Sequence, residues 1–249
     1  MLLNAETAIS TTKVLLVPYS KWHVPRYHEW MQDKEIQEAT ASEPLSVEEE
    51  YEMQRSWRQD ADKLTFIVCQ PIASLSASRV SASLQLDSED DSSERMIGDI
   101  NLFLRVDDGE DGDAPPEIIG EIELMIAEKV NQRRGFGKAS LLVFLRYIIQ
   151  RQAGILEEFV KSVDVQVVEK LKAAGTSGVG LACLSVKIGQ TNRRSLALFE
   201  GLGFAKVSPE PNFFGEFELR RMDLTMESVD EALRVSEVDG YVEMKYLRK

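Results

Sequence analysis

NQRRGFGKAS, residues 131–140, places two glycines one residue apart beside Arg133, Arg134 and Lys138. Before it runs EIIGEIELMIAE (117–128), whose apolar residues alternate with the period of two that marks a strand. After it, Leu141, Leu145, Ile148 and Gln152 fall along one stripe with Phe144 beside it, which predicts a helix from about Gly135 to Ala153. Strand, glycine turn and helix in that order put a helix N-terminus at the turn. Such an N-terminus leaves unpaired N–H groups and about half a positive charge, which suits phosphate oxygens. Gly135 and Gly137 let an anion approach the main chain closely. The plainer alternative is a glycine-rich turn with solvated cations, since a lone G-x-G is weak evidence. No G-x-x-x-x-G-K-[ST] occurs, and the third glycine and later acid of a dinucleotide fingerprint are missing.

Working outward, KVLLVPY (13–19) predicts a strand and WHVPRYHEWMQD (22–33) a helix with Pro25 in its first turn. Ser46 and Glu49 form a capping-box signature for a helix whose Val47, Tyr51, Gln54 and Trp57 define a mostly apolar face. LTFIVCQ (64–70) and MIGDINLFL (96–104) are strand-like, with a Ser/Ala-rich, then acidic, segment between them. Residues 156–178 predict an extra amphipathic helix and a linker, and LACLSVKIG (181–189) a buried strand. NRRSLALFEGLGF (192–204) predicts a short helix with Asn192 at its N-cap and Gly203 at its end. FFGEFELRRMDL (213–224) is expected to close the sheet. The expectation is an α/β fold: a mixed sheet with helices on both faces, in one domain over 13–224. Insertions fall at about 71–95, 105–116 and 156–180, and 225–249 forms a C-terminal extension. The final DGYVEMKYLRK is left open between a docking strand and a mobile basic tail.

Composition narrows the class. The chain has 249 residues, 43% hydrophobic, with a net charge of −13. DSEDDSSE (87–94) and DDGEDGD (107–113) carry five acids each, and setting those aside leaves 32 acids against 29 bases. The acidity is therefore assigned to two solvated segments, and no nucleic acid partner is expected. No apolar run approaches the roughly 18 residues that span a bilayer, and the N-terminus lacks signal-peptide features. A cytoplasmic protein without a membrane partner is expected. Cys69 and Cys183 form no CxxC pair and are taken as buried free thiols. His23 and His28 have no carboxylate or cysteine at ligand spacing, so neither a zinc site nor a Ser-His-Asp triad is expected.

QRRGFG after EIELMIAE, followed by NRRSLALFEGLGF after LACLSVKIGQ, resembles the GNAT acetyltransferase superfamily in both of its signatures and in their order. VLLVPY, HEWM, ASEPL, EEEYEMQ, SWRQDADKLTFIV, GDINLFL and GEIELMIAE are similar to its N-acetyltransferase 9-like branch, described as acetylating tubulin. The resemblance implies acetyl-CoA as donor, no metal, and direct attack by a substrate amine. Main-chain amides around Arg133, Arg134, Gly135, Phe136, Gly137 and Lys138 would hold the pyrophosphate, beside Met125 and Ile126 at the strand end. Asn192 would contact the pantetheine arm or the acetyl end. Glu121 matches the position of the superfamily's glutamate base, with Glu123 its close rival. The family's usual tyrosine acid is replaced by Phe199, so that role is not carried over.

The residues point to the same face. Glu121, Glu123 and Met125 alternate away from Ile118, Ile122, Leu124 and Ile126, while Asp99 and Asn101 share a face of the preceding strand. If the two strands pair, all four polar groups line one patch, which would attract an ammonium and support proton transfer. The alternative is a half-exposed sheet face of ordinary solvated acids. An α-amine titrates near 8, so roughly a fifth is neutral at pH 7.4, against roughly 0.1% for lysine, a handicap of about 4 kcal/mol. A protein N-terminal α-amine is therefore favoured over lysine. A small-molecule amine or a non-catalytic CoA-binding scaffold stays open.

Overall fold

The computed structural model describes residues 1–72, 86–108, 114–174 and 179–248. Nine strands form one sheet: β1 (Thr7–Ser10), β2 (Leu15–Pro18), β3 (Lys63–Cys69), β4 (Met96–Asp107), β5 (Glu117–Ile126), β6 (Leu181–Gly189), β7 (Ala205–Lys206), β8 (Glu216–Arg221) and β9 (Val242–Lys245). The spatial order is β7-β8-β6-β5-β4-β3-β2-β1-β9. Only β5 and β6 run parallel; the other pairings are antiparallel. The crossover joining those two strands contains α4 (Phe136–Val160) and α5 (Val165–Ala174), as a parallel pair requires.

Helices cover both faces, as expected. On one face α4 buries Leu141, Phe144, Leu145 and Ile148 against Phe66, Ile100, Leu102, Ile118 and Ile122. That layer also takes Leu196 and Phe199 of α6 (Arg193–Glu200) and Val229 and Leu233 of α7 (Met226–Val235). On the other face α1 (Val24–Met31) packs Tyr27, Trp30 and Met31 over Val17, Ile67 and Cys69. The remaining helices are α2 (Lys34–Thr40) and α3 (Val47–Gln59). Pro25 does sit in the first turn of α1, and Ser46 and Glu49 do close a capping box. Cys69 and Cys183 are buried and free.

Several expectations change. In α3 Gln54 of the expected face is buried and Tyr51 and Trp57 are half-buried, but Val47 is 40% exposed and Glu50 takes an inward place instead, where it meets polar groups. Helix α4 runs 25 residues, to Val160, so the expected break near Ala153 is absent: Ile155, Leu156 and Phe159 continue its buried stripe. Helix α2 and strand β1 carried too few periodic residues to be foreseen. Strand β8 does not close the sheet, because β7 lies outside it. Part of the final segment, left open above, is β9, which pairs with β1. The acidic run 87–94 is not wholly solvated either. Asp91 is 2% exposed and accepts from Trp22 Nε1 at 3.1 Å, His23 Nε2 at 3.1 Å, Tyr246 Oη at 2.6 Å and the Arg248 guanidinium. The Ser20 N–H donates to His23 Nδ1, which leaves the proton on Nε2 facing the carboxylate. Within the expected insertions, 73–85, 109–113 and 175–178 lie outside the described residues, whereas 156–174 holds the end of α4 together with α5.

Candidate active site

Strands β5 and β6 pair only as far as Glu121–Ser185, yet β5 continues to Ile126 and β6 to Gly189. Beyond that point β5 keeps its partner β4, and β6 keeps β8. The sheet therefore parts, and the β5 edge facing β6 has no strand to pair with. A main-chain edge left this way can bind an extended, amide-bearing ligand.

The glycine turn stands at the end of this edge. Arg133 has φ 61° and Gly135 φ 86°, so two left-handed residues turn the chain sharply into α4. At Gly135 a side chain would be strained. No side chain caps α4, and the Ala139 N–H donates to the Gly135 carbonyl at 3.0 Å. The amides of Phe136, Gly137 and Lys138 are the leading ones of the helix, free of intrahelical acceptors. A methyl at Gly137 would meet Ile126, Leu124 and Leu198 at 3.7–3.8 Å, so the helix start lies across the end of β5 and against α6. Gln132 Nε2 donates to the Ile126 carbonyl at 3.0 Å, joining turn and strand. Arg133, Arg134 and Lys138 are exposed, with Arg134 over the Phe136 ring at 5.3 Å. Asn192 caps α6, accepting from Ser195 N–H at 3.1 Å; that bond occupies its Oδ1 and leaves the side-chain amide to donate.

The four polar residues do share one face of β4–β5. The register sets Asn101 opposite Glu123, Asp99 opposite Met125 and Phe103 opposite Glu121, so Glu121, Glu123, Asp99 and Asn101 all point toward α1. They differ sharply in surroundings. Glu121 is tied to Lys187 Nζ of β6 at 2.9 Å, where the strands part. Glu123 lies beyond the last β5–β6 pair and is exposed to solvent, yet neighbouring groups strip part of its carboxyl's hydration. Those surroundings, then the charges of Asp99 and Glu121, outweigh Lys187 and push its pKa up to about 7. Asp99 and Asn101 are each 3% exposed, so they lie beneath the surface. Burial pushes Asp99 up to about 6, although Asn101 Nδ2 donates to it at 2.8 Å and Tyr27 Oη at 3.3 Å.

Sequence reasoning missed Tyr27, which brings α1 onto the patch, and Lys187, which neutralises Glu121. Neither has a local signal: each meets its partner across more than 60 residues of chain. Phe199 is core, 3% exposed and edge-on to Phe204 at 5.0 Å. Among the described residues no cluster of His, Cys, Asp and Glu could hold a metal, and no helix is long and apolar enough to cross a membrane.

The model of the acetyltransferase (GNAT) domain matches residues 13–205. The chain is 36% identical over 239 residues to an N-acetyltransferase 9-like protein of Schizosaccharomyces pombe, covering 89% of this chain and 99% of that one. It is 38% identical over 221 residues to the alpha/beta-tubulin-N-acetyltransferase 9 of Homo sapiens, covering 88% and 85%. Among solved structures, RimL, a ribosomal L7/L12 alpha-N-protein acetyltransferase, aligns with a TM-score of 0.52 at 11% identity, covering 86% and 94%. The spermidine N-acetyltransferase of Vibrio cholerae, solved with CoA and spermine, aligns with a TM-score of 0.51 at 14% identity, covering 84% and 93%; both likenesses concern the fold. The match over most of the chain and the identity to these relatives show that the chain belongs to the GNAT acetyltransferase family and is an N-acetyltransferase.

Proposed function

We propose that this enzyme transfers acetyl from acetyl-CoA to a protein N-terminal α-amine, with Glu123 as general base, and that tubulin is a substrate. The observation that carries the reading is the place of Glu123: an ionisable carboxyl on the stretch of β5 beyond its last pair with β6, with no hydrogen-bond partner among the described residues, and with partial desolvation, Asp99 and Glu121 raising its proton affinity. A base poised near the working pH combines adequate ionisation with proton affinity. Glu121 is the weaker candidate because Lys187 occupies it; its place is to hold the two strands together where they part.

The donor's pyrophosphate suits the amides of 136–138 with Arg133, Arg134 and Lys138. Its pantetheine amides suit the free edge of β5 at Met125 and Ile126, with the Asn192 amide donating nearby. When bound, acetyl-CoA supplies an activated thioester and a thiolate leaving group. The amine nitrogen attacks the thioester carbonyl as Glu123 draws off its proton; the new C–N bond forms and the C–S bond breaks. No tyrosine acid is required, since a thiol near 8.5 leaves well as a thiolate. Asp99 raises the proton affinity of Glu123 from below. The tubulin assignment rests on relatives that carry it in their names, and it accords with a cytoplasmic location.

Calorimetry tests the donor site. Wild type is expected to bind acetyl-CoA, and the Gly137→Glu variant, whose acid would be driven toward Ile126, Leu124 and Leu198 and displace the helix start from the strand end, to lose that binding while remaining folded by circular dichroism. Tubulin N-terminal peptides with free α-amines should then be acetylated in preference to lysine peptides and polyamines. A folded wild type that ignores acetyl-CoA, or that turns over only polyamines, overturns the proposal.

A further inference from the structure

The layer between α1, α3 and the sheet is unusually polar for a core. Glu50 is 1% exposed, Tyr19 2%, Asn101 3% and Thr65 6%. Among the described residues, Tyr19 Oη, Glu50 Oε2, Thr65 Oγ1 and Asn101 Oδ1 are buried without a hydrogen-bond partner. Four such atoms in one layer are costly unless something bridges them, and buried polar groups at this density are ordinarily joined by bound water.

The groups have an order in space. Tyr27 Oη donates to Asp99 of the carboxylate patch. The rings of Tyr27 and Tyr19 lie 5.1 Å apart. Gln54 Nε2 donates to the Tyr19 carbonyl at 3.0 Å, fixing α3 over the end of β2. Glu50, one helical turn before Gln54, shares that inward face. Its Oε1 stands 3.9 Å from Nδ1 of His28, whose side chain is 20% exposed. The series runs from the carboxylate patch to the surface of α1.

We propose that Tyr27, Tyr19, Glu50 and His28, joined by bound water, form a proton exit from the carboxylate patch to the back of the molecule. The inference rests on the acetyl-transfer reading. A protonated amine and acetyl-CoA yield an amide, CoA thiol and one proton released to solvent. Glu123 takes protons where the strands part, but acetyl-CoA and a peptide together cover that opening. Asp99, on the same face, then passes the released proton through Tyr27 and Tyr19 to Glu50 and His28. The ionisable groups facing Glu50 are His28 and Tyr27 of α1 and Tyr19 at the end of β2, and Asp99 of β4 acts on the same two tyrosines. Burial raises Glu50 above the ordinary carboxylate range, opposed by His28, which suits a carrier that gains and loses a proton. None of these residues is required to touch a substrate.

The test is steady-state turnover in dilute buffer with wild type, His28→Ala and Glu50→Gln. Both variants are expected to lower kcat about tenfold or more, with KM for acetyl-CoA and peptide unchanged. Added imidazole should restore His28→Ala in proportion to its concentration. Unchanged kcat, or a loss that imidazole does not repair, overturns the exit; a kcat loss with raised KM marks a structural role and does so too. Wild-type turnover is measured first, because its absence strikes at the acetyl-transfer reading instead. A high-resolution crystal structure provides an arm independent of activity. Ordered water bridging Tyr19 Oη and Glu50 Oε2 supports the exit, and a dry layer refutes it.

Discussion

Replacing Glu123 by Gln keeps the size of the side chain and removes its proton affinity, so it isolates the base. With Glu123 held near 7, about one-tenth is ionised at pH 6 and about nine-tenths at pH 8. A base acts only when ionised, so its contribution falls as pH drops through 7, about tenfold for each further unit. General bases contribute about 10²–10⁴-fold, which sets the expected loss for Glu123→Gln at pH 8. Wild type and variant are compared by kcat/KM on one tubulin N-terminal peptide from pH 5.5 to 8.5. The amine's own titration near 8 is common to both and cancels in the ratio. That ratio is expected to be large and level above pH 8 and to shrink steadily below 7. Glu121→Gln removes a charge that raises Glu123 and releases Lys187, so it should keep the rate above pH 8 and move the fall in activity to lower pH. A ratio that does not change with pH, or a Glu121→Gln variant that reproduces the full loss, refutes the assignment.

Two further predictions concern stability, and they have opposite signs. Asp99 is raised from 3.8 to about 6 by burial, so the folded state holds its proton more tightly and stability falls as pH rises from about 4 to 6. At pH 8 its ionisation costs about 3 kcal/mol at most; Asp99→Asn should raise the urea midpoint at pH 8, leave it nearly unchanged at pH 3.5, and slow turnover. For Asp91 burial pushes the pKa up, but hydrogen bonds from His23 and Tyr246 and the nearby Arg248 charge prevail, leaving it at about 2. Its contribution, about 2 kcal/mol, is present above 3.8 and lost as pH falls toward 2. Asp91→Ala, which strands Trp22, His23, Tyr246 and Arg248, should cost about 3–5 kcal/mol by urea titration at pH 7.

Much of the site was legible because its signals are local. The glycine turn needs left-handed backbone at Gly135 and a helix directly after it, and both requirements show within ten residues. Asn192 likewise caps a helix whose start is marked by its own first turn. The shared face of Asp99, Asn101, Glu121 and Glu123 followed from period-two alternation once β4 and β5 pair. Errors arose where partners are remote. The inward face of α3 carries Glu50 beside the expected Gln54, because it meets Tyr19 and His28 as well as apolar side chains. Asp91 looked like one more solvated acid until four donors from two distant segments closed over it.

Alternation, helix periodicity and turn chemistry thus determined by themselves that the chain builds a mixed sheet with a helix starting directly at a glycine turn, because each depends on residues a few positions apart. Which carboxylate can act as a base was decided only by tertiary structure. Glu121 and Glu123 are two residues apart on one strand and alike in sequence. Packing gave the first a lysine from β6 and left the second beside a buried aspartate where β5 has parted from β6, and proton affinity follows those neighbours.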